Sequence, residues 1–132
     1  MDLHERRSLL ICSRNREIKL DYVIFITGHM ANPGLGGSSD IHLNYVPDKT
    51  ILKPASFGRY LDAIGTTKWE TLEECAAAIL NDINNELVAR WVQLSISAPN
   101  QVHHGIDRHK VMLEDRQPNW DNMGLLSRLR PD

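Results

Sequence analysis

The chemistry of this chain begins in a loop. The stretch NPGLGGSSD, Asn32 to Asp40, is glycine-rich and ends on a carboxylate at the mouth of a strand. It holds no GKS or GKT, so a Walker-type phosphate cradle is unsupported. It also holds no cysteine, and Pro33 and its neighbours offer no nucleophile. Asp40 reads either as a turn residue opening the strand or, at the loop exit, as a ligand or proton-transfer group. Glu73 falls in the first turn of a helical pattern, where a carboxylate favours the helix dipole. His103, His104 and His109 lie close together, and a catalytic zinc takes three such ligands and a water. Adjacent residues of one strand point to opposite faces, so His103 and His104 do not readily share a metal. Surface histidines are the plainer reading, and no metal is assigned. Trp69 and Trp91 are flat enough to stack on a base, with core or interface packing the competing job.

These residues need elements to hold them. Ile18, Leu20, Tyr22, Ile24 and Ile26 alternate along EIKLDYVIFIT, which predicts a first strand. Ile41, Leu43 and Tyr45 predict a second, with His42, Asn44 and Val46 on its other face. Met30 to Ser39 is too rich in Gly and Pro for regular structure, so the two strands form a hairpin with an enlarged connection. Pro47 ends the second strand, and PASFGRYLDAIG predicts a short helix with Pro54 in its first turn and Gly65 as its stop. Leu72, Cys75, Ala76, Ile79, Leu80, Ile83 and Leu87 form the apolar stripe of a longer helix. Thr71 and Glu74 stand at capping-box spacing before it. Val88, Val92, Leu94 and Ile96 alternate in a third strand, APNQ marks a turn, and HKVMLED carries a fourth strand. This order predicts an α+β fold, an antiparallel four-stranded sheet with two helices on one face. Such a sheet leaves two edges and a face open, so self-association into a ring or barrel is expected.

The whole chain, 132 residues, is one domain's worth. Residues 1–16 read as a peripheral N-terminal extension and 118–132 as a peripheral tail with Trp120, Leu125 and Leu126 as docking points. A net charge of -2 without a basic stripe speaks against nucleic acid as a partner. Arg6, Arg7, Arg14, Arg16 and Lys19 are interleaved with Glu5, Glu17 and Asp21, the pattern of a solvated segment. No apolar run is long enough to span a bilayer. Cys12 and Cys75 are far apart with no CxxC spacing, which favours free thiols and a cytoplasmic setting.

From about Asp40 to Ile96 the chain resembles the QueF family of nitrile reductases. The resemblance rests on Tyr45, Pro47 and Asp48 after the second strand, on Tyr60 and Leu61, and on EEC…ILNDI, with their order and spacing. That family reduces 7-cyano-7-deazaguanine with NADPH on the way to queuosine. Its tunnelling fold closes two-strand, two-helix, two-strand units into oligomeric barrels. The resemblance therefore implies a ββααββ unit, a homo-oligomer with sites at subunit interfaces, and a purine-like or pterin ring as ligand. It sets Asp40 at the place of the family's proton donor and Glu73 at that of its base-binding glutamate. A carboxylate suits the latter task because it accepts two parallel hydrogen bonds from a ring N–H and an exocyclic amine. Leu72 stands where the family has a histidine beside that glutamate.

Departures from the family weigh against its chemistry. The nucleophilic cysteine, seven residues before the aspartate, is Pro33 here. The NADPH motif, a glutamate and two lysines, reads Lys53, Ala55 and Gly58, leaving Lys53 and Arg59 to meet phosphates. The family's arginine-glycine turn after the third strand is not visible in SAPNQVHHG. What is expected is a ring-binding relative of the reductase without its nucleophile. Two alternatives stay open: an active reductase whose thiol comes from Cys12 or another chain, and a structural assembly module with no ligand. Pterin-processing relatives with three zinc-binding histidines keep His103, His104 and His109 in view.

Overall fold

The computed structural model describes residues 1–32, 37–98 and 103–129. Along the chain run α1 (Leu3–Ser8), β1 (Cys12–Arg14), β2 (Ile24–Asn32), β3 (Gly37–Val46), β4 (Thr50–Leu52), α2 (Pro54–Thr66), α3 (Leu72–Leu87), β5 (Trp91–Ala98), β6 (His109–Arg116) and α4 (Met123–Leu126). The main sheet is antiparallel in the order β2-β3-β5-β6, and β1 pairs with β4 in a second, two-stranded sheet.

Alternation decides what each face of the main sheet carries. Ile41, Leu43 and Tyr45 of β3 and Val92, Leu94 and Ile96 of β5 are fully buried on one side, against α2 and α3. Phe57, Tyr60, Leu61 and Ile64 complete that core from α2, and Leu72, Cys75, Ala76, Ile79 and Ile83 from α3. Asp40, His42 and Asn44 of β3 and Trp91, Gln93, Ser95 and Ser97 of β5 necessarily project from the other side. Two helices on one face of a four-stranded antiparallel sheet is the architecture expected from the order of elements.

Element boundaries differ from the sequence reading where tertiary contacts override local pattern. The first strand begins at Ile24, not Ile18. Ile18 and Leu20 alternate but remain exposed, and their carbonyls accept hydrogen bonds from the Arg90 guanidinium at 2.7 and 3.0 Å instead of from a strand. Met30 to Asn32 and Gly37 to Ser39 are strand residues, so the ladder extends into the expected loop, whose residues 33–36 lie outside the described ones. The APNQ turn likewise falls largely outside them. Val88 is not in a strand; at φ 46° it is the left-handed residue that ends α3, and the strand starts at Trp91. Gly65 does not stop α2 but sits inside it, buried where the helix presses on β2. A Cβ there would stand 2.1 Å from the Ala31 carbonyl oxygen and 3.2 Å from Met30 Cγ. Only glycine permits that approach.

Gly65→Ala should therefore force α2 away from β2, costing about 2–3 kcal/mol as overpacking does. Urea denaturation monitored by tryptophan fluorescence measures the loss; stability equal to wild type would show that the contact yields freely.

Candidate functional site

Two of the residues singled out for chemistry, Asp40 and Glu73, lie at one end of the main sheet, where β3 begins, β5 ends and β6 begins. The capped start of α3 delivers Glu73: Thr71 Oγ accepts the Glu74 amide at 3.0 Å and fixes the first turn. The reciprocal bond of a capping box is displaced by one residue, since Glu74 Oε2 accepts from the amide of Glu70 at 3.3 Å. Glu73 is left to point across the sheet end, its Oε1 2.9 Å from Nε2 of His109, the first residue of β6. Its side chain keeps 61% of its surface exposed. A hydrogen-bonded contact this open is worth about 0–1 kcal/mol, so a ligand's donors can replace the imidazole at small cost. Asp40 lies at the same end, opposite His29 on β2 and Ser97 on β5. It is exposed, but it projects from the open face, while Glu73 approaches from the helix side. One chain thus brings the two carboxylates to one end of the sheet and keeps the sheet between them.

The other candidates lie elsewhere. Leu72 is buried in the core beneath α3. Lys53 is the N-cap of α2 and Arg59 an exposed residue of that helix. Gly65, near the end of that helix, packs on Ala31, and Lys53 lies about 18 Å back along the helix axis from Gly65 at 1.5 Å per residue. The chain does not draw Lys53 to the Glu73 end. Neither thiol serves that end as a nucleophile. Cys12 is on β1, opposite Leu52, near the far end of β3. Burial, with the charge of Glu86, raises its thiol above the ordinary range. Cys75 is in the first turn of α3 but wholly inside the core, and burial with the Glu74 charge pushes its thiol up to about 12. His103 and His104 are exposed ahead of β6, and among the described residues no three His, Cys, Asp or Glu side chains gather to hold a metal. Trp69 donates its indole N–H to the Ile64 carbonyl at 3.0 Å, and Trp91 donates to Glu114 on the open face. A cleft of about 340 Å³ between that face and α4 is lined by Trp91, Met112, Arg116, Met123 and Leu126, among others.

With the geometry in hand, the chain can be set beside known proteins. Its sequence matches no protein-family model and no curated protein. Among solved structures it is similar to the archaeosine synthase QueF-Like in the apo form, with a TM-score of 0.54 and 17% identity over 70% of this chain and 90% of that one. The chain has a QueF-like tunnelling fold. At 17% identity the likeness establishes the fold alone. In tunnelling-fold terms the expected ββααββ unit is β2, β3, α2, α3, β5 and β6. To it this chain adds α1, β1, β4 and α4, none of which the sequence reading anticipated. No helix among the described residues is long and apolar enough to cross a membrane.

One buried cluster ties α1 to the unit, and sequence reasoning missed it. Asp82 of α3 is fully buried and accepts from Arg6 Nε at 2.6 Å, Arg7 Nε at 2.9 Å and the Tyr60 hydroxyl at 2.5 Å. The first two donors come from α1, so the segment read as solvated is clamped through its charges. Arg6 also lies over the Trp69 ring, 6.0 Å from its centroid, joining α1 to the α2–α3 connection that leads into Glu73. The missed signal was an aspartate inside the apolar stripe, between Ile79 and Ile83. Burial by itself would raise the Asp82 carboxyl, but the bonds from Arg6, Tyr60 and Arg7 outweigh it and hold the carboxyl below its ordinary 3.8. The same partnership, after burial, drives the Tyr60 hydroxyl far above its usual range.

A depressed folded value means that this stability is present above pH 3.8 and lost as pH falls through the lower folded value. Asp82→Asn should cost about 3–5 kcal/mol at neutral pH, because two arginines lose their buried anion. It should also remove the acid-dependent component below pH 3.8. Denaturant titrations at neutral and acid pH measure both, and an undiminished Asp82→Asn would place the clamp outside the stability of the fold.

Proposed function

We propose that this chain binds a flat, guanine-like heterocycle, a 7-deazaguanine or a pterin, with Glu73 as its anchor and without the nucleophile of nitrile reduction. The observation that carries this reading is Glu73 itself. It is a carboxylate on a capped helix start, aimed across a sheet end and engaged, among the described residues, by a histidine that a ligand can displace. Two oxygens on one side chain accept the paired donors of a guanine-like edge, a task no neutral side chain performs as well. The shared fold with the archaeosine synthase QueF-Like supports the reading. Because one chain sets Asp40 and Glu73 on opposite faces, a cavity using both draws them from two copies. The unpaired edges of β2 and β6 supply the means of association. Reduction of a nitrile with NADPH would instead rely on Lys53 and Arg59 for phosphate and on a thiol that this end of the sheet does not present.

Calorimetric titration with guanine, 7-cyano-7-deazaguanine and a pterin tests the proposal. At least one ring should bind, and Glu73→Gln should weaken it tenfold or more, about 1.4 kcal/mol or above, because an amide cannot accept two donors. Ring binding by Glu73→Gln as tight as wild type would falsify the anchor role. Mixed with 7-cyano-7-deazaguanine and NADPH, the protein should neither oxidise the cofactor nor develop the absorbance of a thioimide. Either signal would favour the reductase reading instead.

A further inference from the structure

We infer that residues 118–129 form a strap over the open face of the sheet, fixed at Gln117, latched by Asp21 and able to open while the sheet stays folded. Nothing in it depends on the role of Glu73. Past β6 the chain is pinned at Gln117, whose amide donates to the Arg90 carbonyl at 3.0 Å and whose Nε2 donates to Asp48 Oδ2 at 2.9 Å. It next meets Asp21, whose Oδ2 accepts from Trp120 Nε1 at 3.2 Å and from Asn122 Nδ2 at 3.0 Å. The other oxygen of Asp21 is held by the Arg90 guanidinium at 3.0 Å, so the latch is itself fixed to the sheet. Asn122 belongs to latch and helix at once, because its Oδ1 accepts the Leu125 amide and caps α4.

Packing holds the strap down far less firmly than the core is held. α4 has four residues and none of them is buried, and Met123 keeps 65% of its surface exposed. The cleft of about 340 Å³ stays between α4 and the face, so Met123 and Leu126 stand across it from Trp91 and Met112 without interlocking with them. Interiors are packed without gaps of this size, and a segment with few buried apolar contacts opens well before the whole fold does. Both latch bonds are exposed and both end on one carboxylate oxygen, so they are lost together. The strap nevertheless covers something. Trp91 projects from the open face yet is only 2% exposed, and α4 supplies part of its cover. The other rows of this face carry Asn44 and Gln93, His42 and Ser95, Asp40 and Ser97. Opening therefore bares the apolar end of a face that is otherwise polar.

Amide hydrogen exchange read by NMR on the full chain tests the strap. The reporters are the amides of Leu126, Ser127 and Arg128, which donate to the carbonyls of Asn122, Met123 and Leu125 within it. Leu43 and Leu94, paired on the two central strands, serve as the reference. In wild type the strap amides should be protected, yet exchange on the order of a hundredfold faster than the reference amides. Trp120→Phe keeps a ring and removes one latch donor; it should speed exchange in the strap about tenfold and leave Leu43 and Leu94 unchanged. Strap and reference amides exchanging at one rate in wild type overturn the inference, because α4 then opens only with the whole fold. Strap amides with no protection overturn it as well, since the strap is then not closed. Unchanged exchange in Trp120→Phe overturns the latch.

Discussion

Covering one face of the β2-β3-β5-β6 sheet is the constraint from which the rest of the molecule follows. A strand has a period of two, so burying Ile41, Leu43, Tyr45, Val92, Leu94 and Ile96 under α2 and α3 leaves no freedom for their neighbours. Asp40, His42 and Asn44 are sent to the open face, Ser39 and His109 to the helix side. A slip of one residue would exchange these sets and expose the core. The chemistry a side chain can reach is thus decided by the parity of its position, before any ligand is considered.

A second tie joins the helices to one another. Asp82 gathers donors from α1 and α2 onto α3, and Arg6 carries the contact on to Trp69. Burying a carboxylate is costly, and here three donors offset the cost. The consequence is that α1, α2, α3 and the connection between the last two are joined through one set of buried contacts. Glu73 stands on the same helix, nine residues before Asp82.

The tunnelling fold does not bring its chemistry with it. Fold and function are separable, because a site is a few side chains set on a scaffold. Here the fold is shared at 17% identity, and the chain's two cysteines are free thiols, one half-buried and one buried in the core. Cys75 is turned into the core with a thiol pushed up to about 12, and Cys12 belongs to the small β1–β4 sheet. What the sheet end carries is an exposed carboxylate, an imidazole within hydrogen-bonding distance of it and a buried hydroxyl without a partner among the described residues.

By itself the sequence determined the periodic elements. The stripe from Leu72 to Leu87 announces α3 together with its Thr71 cap, and the alternation around Leu43 and Leu94 announces the central strands. These signals are local, carried by residues a few positions apart, and they also sufficed to suggest the order of the unit and its fold. Only the tertiary structure decided what depends on distant partners. Ile18 and Leu20 alternate like a strand, yet Arg90, some 70 residues on, holds their carbonyls outside any ladder. Gly65 resembles a helix stop until β2 is brought against it. Arg6 and Arg7 resemble solvated charges until Asp82 is found beneath them. Glu73 and Ser39 lie 34 positions apart in the chain, and only pairing of β3, β5 and β6 sets them at one end of one face. Register and burial are properties of the assembled sheet, and no window of sequence contains them.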